Sequence, residues 1–168
     1  VTAFTREVRQ ELRTQMSAKQ LERLARRALE TANSEVHEKA REDESCSGMG
    51  TTLVAGVFRP GIATFINVGD SRAYLLREGL LEQISVDHSL VGEMLRSGLI
   101  TEEQARLSAQ SNVITRALGV APEVDVKIDV VPYESGDRFM LCTDGIHGSM
   151  PEKDLLKLIA DTRVALGP

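Results

Sequence analysis

Between Thr51 and Ile84 four β-rich segments follow one another with almost nothing between them, and this constrains the fold more than any other feature of the chain. Thr51–Phe58, Ile62–Val68, Arg72–Arg77 and Leu80–Ile84 are separated only by Arg59-Pro60-Gly61, Gly69-Asp70-Ser71 and Glu78-Gly79. A parallel crossover needs a dozen or more residues, so links this short predict an antiparallel meander. The second segment is nearly continuous in apolar residues, as expected of a strand covered on both faces.

Helical patterns flank this block. Val8, Leu12 and Met16 put one apolar stripe on a charged segment. Ser17 with Gln20 is a capping-box signature, and Leu21, Leu24, Ala25, Ala28, Ala32, Val36 and Ala40 continue the apolar face of the helix it opens. Its charged side (Glu22, Arg23, Arg26, Arg27, Glu30) reads as a solvated face. Ser89–Ser97 reads as a short helix stopped by Gly98, and Thr101 with Gln104 opens another running to about Ala109, followed by a polar loop at 108–112. Val124, Val126, Ile128 and Val130 alternate with Asp125, Lys127 and Asp129 as a half-buried strand. Arg138–Thr143 is a further strand ending at Asp144-Gly145, and Ser149 with Glu152 and Pro151 starts a last helix. Strands grouped apart from helices predict an α+β fold.

The chain of 168 residues fits one domain, taken as 1–168. A net charge of −5 without a basic cluster excludes a nucleic-acid or anionic-membrane surface. No apolar run reaches the length of a membrane span, no signal peptide is visible, and Cys46 and Cys142 read as reduced thiols, which together predict a cytoplasmic protein.

Two places share a design that can carry chemistry. Asp70, in Asn67-Val68-Gly69-Asp70-Ser71-Arg72, and Asp144, in Leu141-Cys142-Thr143-Asp144-Gly145, each follow an apolar strand at a Gly turn. Carboxylates held that way can take hard divalent cations such as Mg²⁺ or Mn²⁺. They can equally cap their turns, and spacing alone leaves both readings open. His147 reads as a loop histidine facing solvent rather than a general acid, His88 as an organiser of a turn and helix start, and His37 as a surface residue. Ser71 has no histidine partner for nucleophilic work, and Gly48–Thr52 lacks the lysine of a phosphate-binding loop.

Five segments recur in order: Gly48-Met49-Gly50-Thr51-Thr52-Leu53-Val54-Ala55, Asn67–Tyr74, Asp87-His88-Ser89, Asn112-Val113-Ile114-Thr115-Arg116-Ala117-Leu118-Gly119, and Gly136-Asp137-Arg138-Phe139 leading to Thr143-Asp144-Gly145. From about Glu30 to Ile159 the chain resembles the metal-dependent protein phosphatases of type 2C, bacterial serine/threonine phosphatases in particular, a family that also includes the stage II sporulation protein E phosphatases. The resemblance implies an antiparallel β-sandwich flanked by α-helices and hydrolysis of phosphoserine or phosphothreonine in a protein substrate, with a signalling role. It implies Mn²⁺ or Mg²⁺ as cofactor, with Asp144 as a direct ligand and Asp70 as an acid acting through water or at a further metal. It implies a flap over about 89–112 in which Ser108, Gln110 and Asn112 govern substrate access. Gly69, Gly145, Arg116 and Gly119 take structural roles near the site, the arginine tying loop carbonyls, and Thr51 and Thr52 open a core strand.

The departures from the family pattern shape the expectation. The family's phosphate-binding Arg, its Asn-Glu-Asp segment and its Asp-Gly-Met-Gly-Gly segment, which supplies the acid bridging two metals, have no counterpart in Val1–Ser45. Ser47, not an acid, precedes Gly48-Met49-Gly50, and Asp161 before Thr162 is a poor match to the closing Asp-Asn segment. The sandwich is therefore expected to be incomplete, truncated at both ends, with weak metal binding and little turnover. The rival expectation is a non-catalytic module that binds other proteins. Unpaired sheet edges further predict a homodimer, which light scattering would show as twice the chain mass.

Overall fold

The computed structural model describes residues 1–13 and 15–161. Two helices come first, α1 (Thr2–Glu11) and α2 (Ala18–Glu42), then a single 3-10 turn (Glu44–Cys46). Four strands follow, β1 (Leu53–Arg59), β2 (Ile62–Val68), β3 (Arg72–Arg77) and β4 (Leu80–Gln83). After them come α3 (Leu90–Arg96), α4 (Glu102–Leu107), β5 (Lys127–Pro132), β6 (Arg138–Cys142), α5 (Asp144–His147) and α6 (Glu152–Asp161). The position of Thr162 lies outside the described residues.

All strand pairs are antiparallel, but they form two sheets, ordered β1-β2-β5 and β4-β3-β6. The expectation of one four-stranded meander is corrected here. β1 and β2 form one hairpin and β3 and β4 another, while the 69–71 link carries the chain from one sheet to the other. Gly69 makes that step with φ +100°, a conformation an L side chain rarely adopts, and a Cβ there would lie 2.4 Å from Thr52 Cγ2. The physical reason lies in β2 and β3, which each bury residues on both faces. Such strands need cover above and below as well as neighbours alongside.

Burial follows the resulting helix–sheet–sheet–helix layering. Ile66 and Val68 of β2 face Ala25, Ala28, Leu29 and Ala32 of α2 and Phe4 of α1. Ala63 and Phe65, on the opposite face of β2, meet Ala73 and Phe139 between the sheets. Phe58, Phe65, Tyr133 and Phe139 form an aromatic group there, edge-on except for the tilted pair Phe65–Phe139, with ring centroids 5.1–6.0 Å apart. Tyr74 and Leu76 of β3 pack on Leu155 and Ile159 of α6. Each fully buried leucine or isoleucine contributes about 1.5–3 kcal/mol. The two expected capping boxes form, at Ser17 with Gln20 and at Thr101 with Gln104.

The elements differ from the sequence reading in detail. α1 stops at Glu11, so Leu12 and Met16 fall outside it. The alternation from Val124 to Val130 enters the ladder only at Lys127, because Asp125 is drawn to Arg116 and the Val126 carbonyl to Arg26. The last helix takes its first bonds onto the Pro151 carbonyl rather than beginning at Ser149. Asp144–His147 forms a short helix where the sequence predicts a turn. Edges β1 and β6 carry half-exposed apolar residues, among them Phe58 and Leu141, so the described sandwich is open along that flank.

Candidate metal centre

The 69–71 link leaves Asp70 at the end of β2, half-buried, and the end of β6 leads straight into α5, whose first residue is Asp144. Both acids line one cleft of about 690 Å³, together with Arg72, Tyr74, Gln83, Asp87, His147 and residues of α3, α4 and α6. Burial pushes the Asp70 carboxyl above the ordinary aspartate range, and the nearby charges of Asp144 and Asp87 push it the same way. Among the described residues neither Asp70 nor Asp144 is held in an ion pair.

The wall of the cleft is a fixed polar network centred on Asp87. Arg72 Nε donates to both Asp87 oxygens at 3.0 Å, and Arg72 Nη2 donates to Oδ2 at 2.6 Å. Gln83 Nε2 donates to Asp87 Oδ1 at 2.9 Å, and Arg72 Nη1 donates to the Tyr74 hydroxyl at 3.0 Å. Burial works against the Arg72 charge, yet Asp87 outweighs it and holds the guanidinium above the ordinary arginine range. Arg96 of α3 donates to the Asp87 carbonyl at 2.9 Å, tying the helical wall to the same hub. Both partners of the Arg72–Asp87 pair lie inside segments that carry the family resemblance. Their pairing spans 15 positions, beyond the reach of a local sequence pattern.

Of the expected flap residues, Asn112 lines the cleft, with its neighbour Ser111. Ser108 and Gln110 do not line it: they form the turn after α4, where Ser108 Oγ accepts the Gln110 N–H at 3.1 Å. Arg116 Nη1 donates to Asp125 Oδ2 at 2.6 Å, and among the described residues no bond from it to a carbonyl accompanies this one. Gly119 does permit a tight approach, with φ +88° and a Cβ that would fall 2.2 Å from Val36 Cγ1. Gly145 has no such demand, since a Cβ there meets only Thr143 Oγ1 at 3.6 Å. Thr52 and Ser71 share a hydrogen bond of 2.7 Å, which turns the buried Ser71 into the core and away from any nucleophilic role.

The histidines divide. His88 is 4 % exposed and organises its turn as expected, accepting the Gly69 N–H on Nδ1 at 3.1 Å and donating its own N–H to the Gly69 carbonyl at 3.0 Å. His37 is not a free surface residue, because its Nδ1 lies 2.9 Å from the Gly119 carbonyl. His147 is half-buried on α5 rather than facing solvent, with Nε2 3.0 Å from the Asp70 carbonyl. Burial and then the charge of Arg72 lower its pKa below the ordinary histidine range.

These donors fit a hard cation in part. Two carboxylates without ion-pair partners on one cleft suit oxygen-loving Mg²⁺ or Mn²⁺. No group of three or more His, Cys, Asp or Glu side chains among the described residues converges for a fuller site. The set therefore suits one loosely held cation and not a bridged pair.

The fold is a four-layer antiparallel sandwich with strand-end acids in one cleft. The chain belongs to the protein phosphatase 2C family, whose model matches residues 1–167. It is 38% identical over 148 residues to a serine/threonine phosphatase of Listeria monocytogenes, covering 88% of this chain and 59% of that protein. It is 34% identical over 131 residues to the protein phosphatase PhpP of Streptococcus pneumoniae, covering 78% and 53% respectively. A crystal structure of a serine/threonine phosphatase from Staphylococcus aureus superposes with TM-score 0.87 at 28% identity, over 98% of this chain and 65% of that one. The catalytic domain of the phosphatase PstP, solved with two manganese ions, superposes with TM-score 0.77 at 29% identity, over 93% and 64%. The chain thus spans between half and two-thirds of the length of these relatives.

Proposed function

We propose that this chain serves in the hydrolysis of phosphoserine and phosphothreonine monoesters of protein substrates. The observation that carries the reading is that Asp70 and Asp144 line one cleft without ion-pair partners among the described residues. Membership of the phosphatase 2C family supports it. A Mn²⁺ or Mg²⁺ ion, when bound, supplies a polarised water and offsets the charge that grows on a phosphoryl group. Asp144, exposed at the start of α5, is the direct ligand, and Asp70 holds the ion through water. Arg72 is committed to Asp87 and keeps the wall rigid rather than gripping phosphate. Ser111 and Asn112 border the entrance and limit what reaches the acids.

The reading places the protein in the cytoplasm, which the free thiols of Cys46 and Cys142 support, and no described helix is long and apolar enough to cross a membrane. Release of phosphate from a phosphothreonine peptide tests the activity. Slow, Mn²⁺-dependent release that disappears in Asp144→Asn is expected; release indifferent to Mn²⁺ or to Asp144→Asn contradicts it.

A further inference from the structure

The two acids stand on different elements, and one side chain spans the gap between them. His147 follows Asp144 by three positions on α5, so both belong to the same helical turn. Its Nε2 lies 3.0 Å from the backbone oxygen of Asp70. A carbonyl oxygen only accepts, so Nε2 carries the ring proton and donates. Among the described residues no other side-chain hydrogen bond joins the Asp70 turn to α5. Because the bond goes to the main chain, the Asp70 carboxylate stays free to face the cleft.

We infer that His147 is a positioning residue: its Nε2–H bond to the Asp70 carbonyl fixes the distance between the Asp70 and Asp144 carboxylates, and so how tightly the pair holds a divalent cation. The inference rests on the proposed cation role of those two acids. The rest of the turn is already anchored elsewhere. The Gly69 N–H and carbonyl are taken by His88, and Ser71 Oγ by Thr52. The Asp70 carbonyl is the point where the turn meets α5, and His147 sets that meeting. Groups that orient a metal's ligands without touching it carry about 10–100-fold in affinity.

The test uses the whole chain in two arms, with His147→Ala and His147→Gln, whose amide nitrogen reaches about as far as imidazole Nε2. Without metal, ¹⁵N spectra are expected to show the Nε2–H tautomer. His147→Ala is expected to move the Asp70 and Ser71 amide resonances, and His147→Gln to return them. An Nδ1–H ring, or Asp70 and Ser71 resonances unmoved in His147→Ala, overturns the tether. With MnCl₂ followed by electron paramagnetic resonance, His147→Ala is expected to bind about tenfold more weakly and His147→Gln like the parent chain. Equal binding by all three overturns the positioning role. Equal binding by the parent and Asp144→Asn overturns the cation reading instead, and the metal-free spectra then decide the tether by themselves.

Discussion

His88 shows how one residue can hold a site together without touching it. Its Nδ1 accepts the Gly69 N–H, its N–H returns a bond to Gly69, and its carbonyl takes the Thr115 N–H at 2.8 Å. The turn that carries Asp70 is thereby fastened to the segment that follows α4. A ring accepting on Nδ1 must be neutral, and burial, then the charges of Arg116 and Arg96, lower its pKa from 6.5. The sign of the pH dependence follows. Below pH 6.5 the unfolded chain takes up a proton that the folded chain refuses, so stability falls as pH drops and is flat above. Half-buried His147 adds a slope of the same sign. In His88→Asn an amide oxygen stands near the Nδ1 position and cannot titrate. Urea denaturation between pH 7 and about 5.5 is expected to show a shallower loss of stability in His88→Asn than in the parent. Identical slopes would show that His88 binds its proton equally well in the folded and unfolded chain, which contradicts a buried ring held neutral.

At the scale of elements, α2 does more than cover a sheet. Asn33, 1 % exposed, donates to the carbonyls of Ala121 and Pro122 and accepts the Gly119 N–H at 2.8 Å, while His37 reaches the Gly119 carbonyl. The helix thus clamps the loop that leads from α4 to β5. Asn33→Ala takes the partner from one buried main-chain N–H and two part-buried carbonyls, each costing roughly 1–3 kcal/mol when unpaired, less what water recovers. A loss of about 3 kcal/mol in urea unfolding is expected, and a loss below about 1 kcal/mol would mean the clamp is dispensable. Strand and helix positions were legible in the sequence because apolar periodicity and Gly or Pro turns are local signals. Ile62–Val68 and Arg72–Arg77 form as read. Sheet membership was not legible, since a three-residue link serves a hairpin and a step between sheets equally well. α5 was hidden because Asp144-Gly145 reads as a turn, and Gly145 adopts no conformation reserved for glycine. The cleft acids were legible as strand ends. The long-range contacts around them were not, because Arg72 meets Asp87 from 15 positions away and His147 meets the Asp70 carbonyl from 77.

For the molecule as a whole, the layering decides where chemistry can occur. Helices seal the outer faces of both sheets, aromatic rings fill the space between them, and the polar opening described above lies where β2 and β6 end. The gathering of Asp70 and Asp144 in that opening supports the proposed account, in which the two acids share a divalent cation. Its most direct test is Mn²⁺ titration of the parent chain, Asp144→Asn and Asp70→Asn, read by electron paramagnetic resonance. The account predicts a bound-manganese signal in the parent that vanishes in Asp144→Asn and weakens in Asp70→Asn. A signal of equal strength in all three proteins would contradict it.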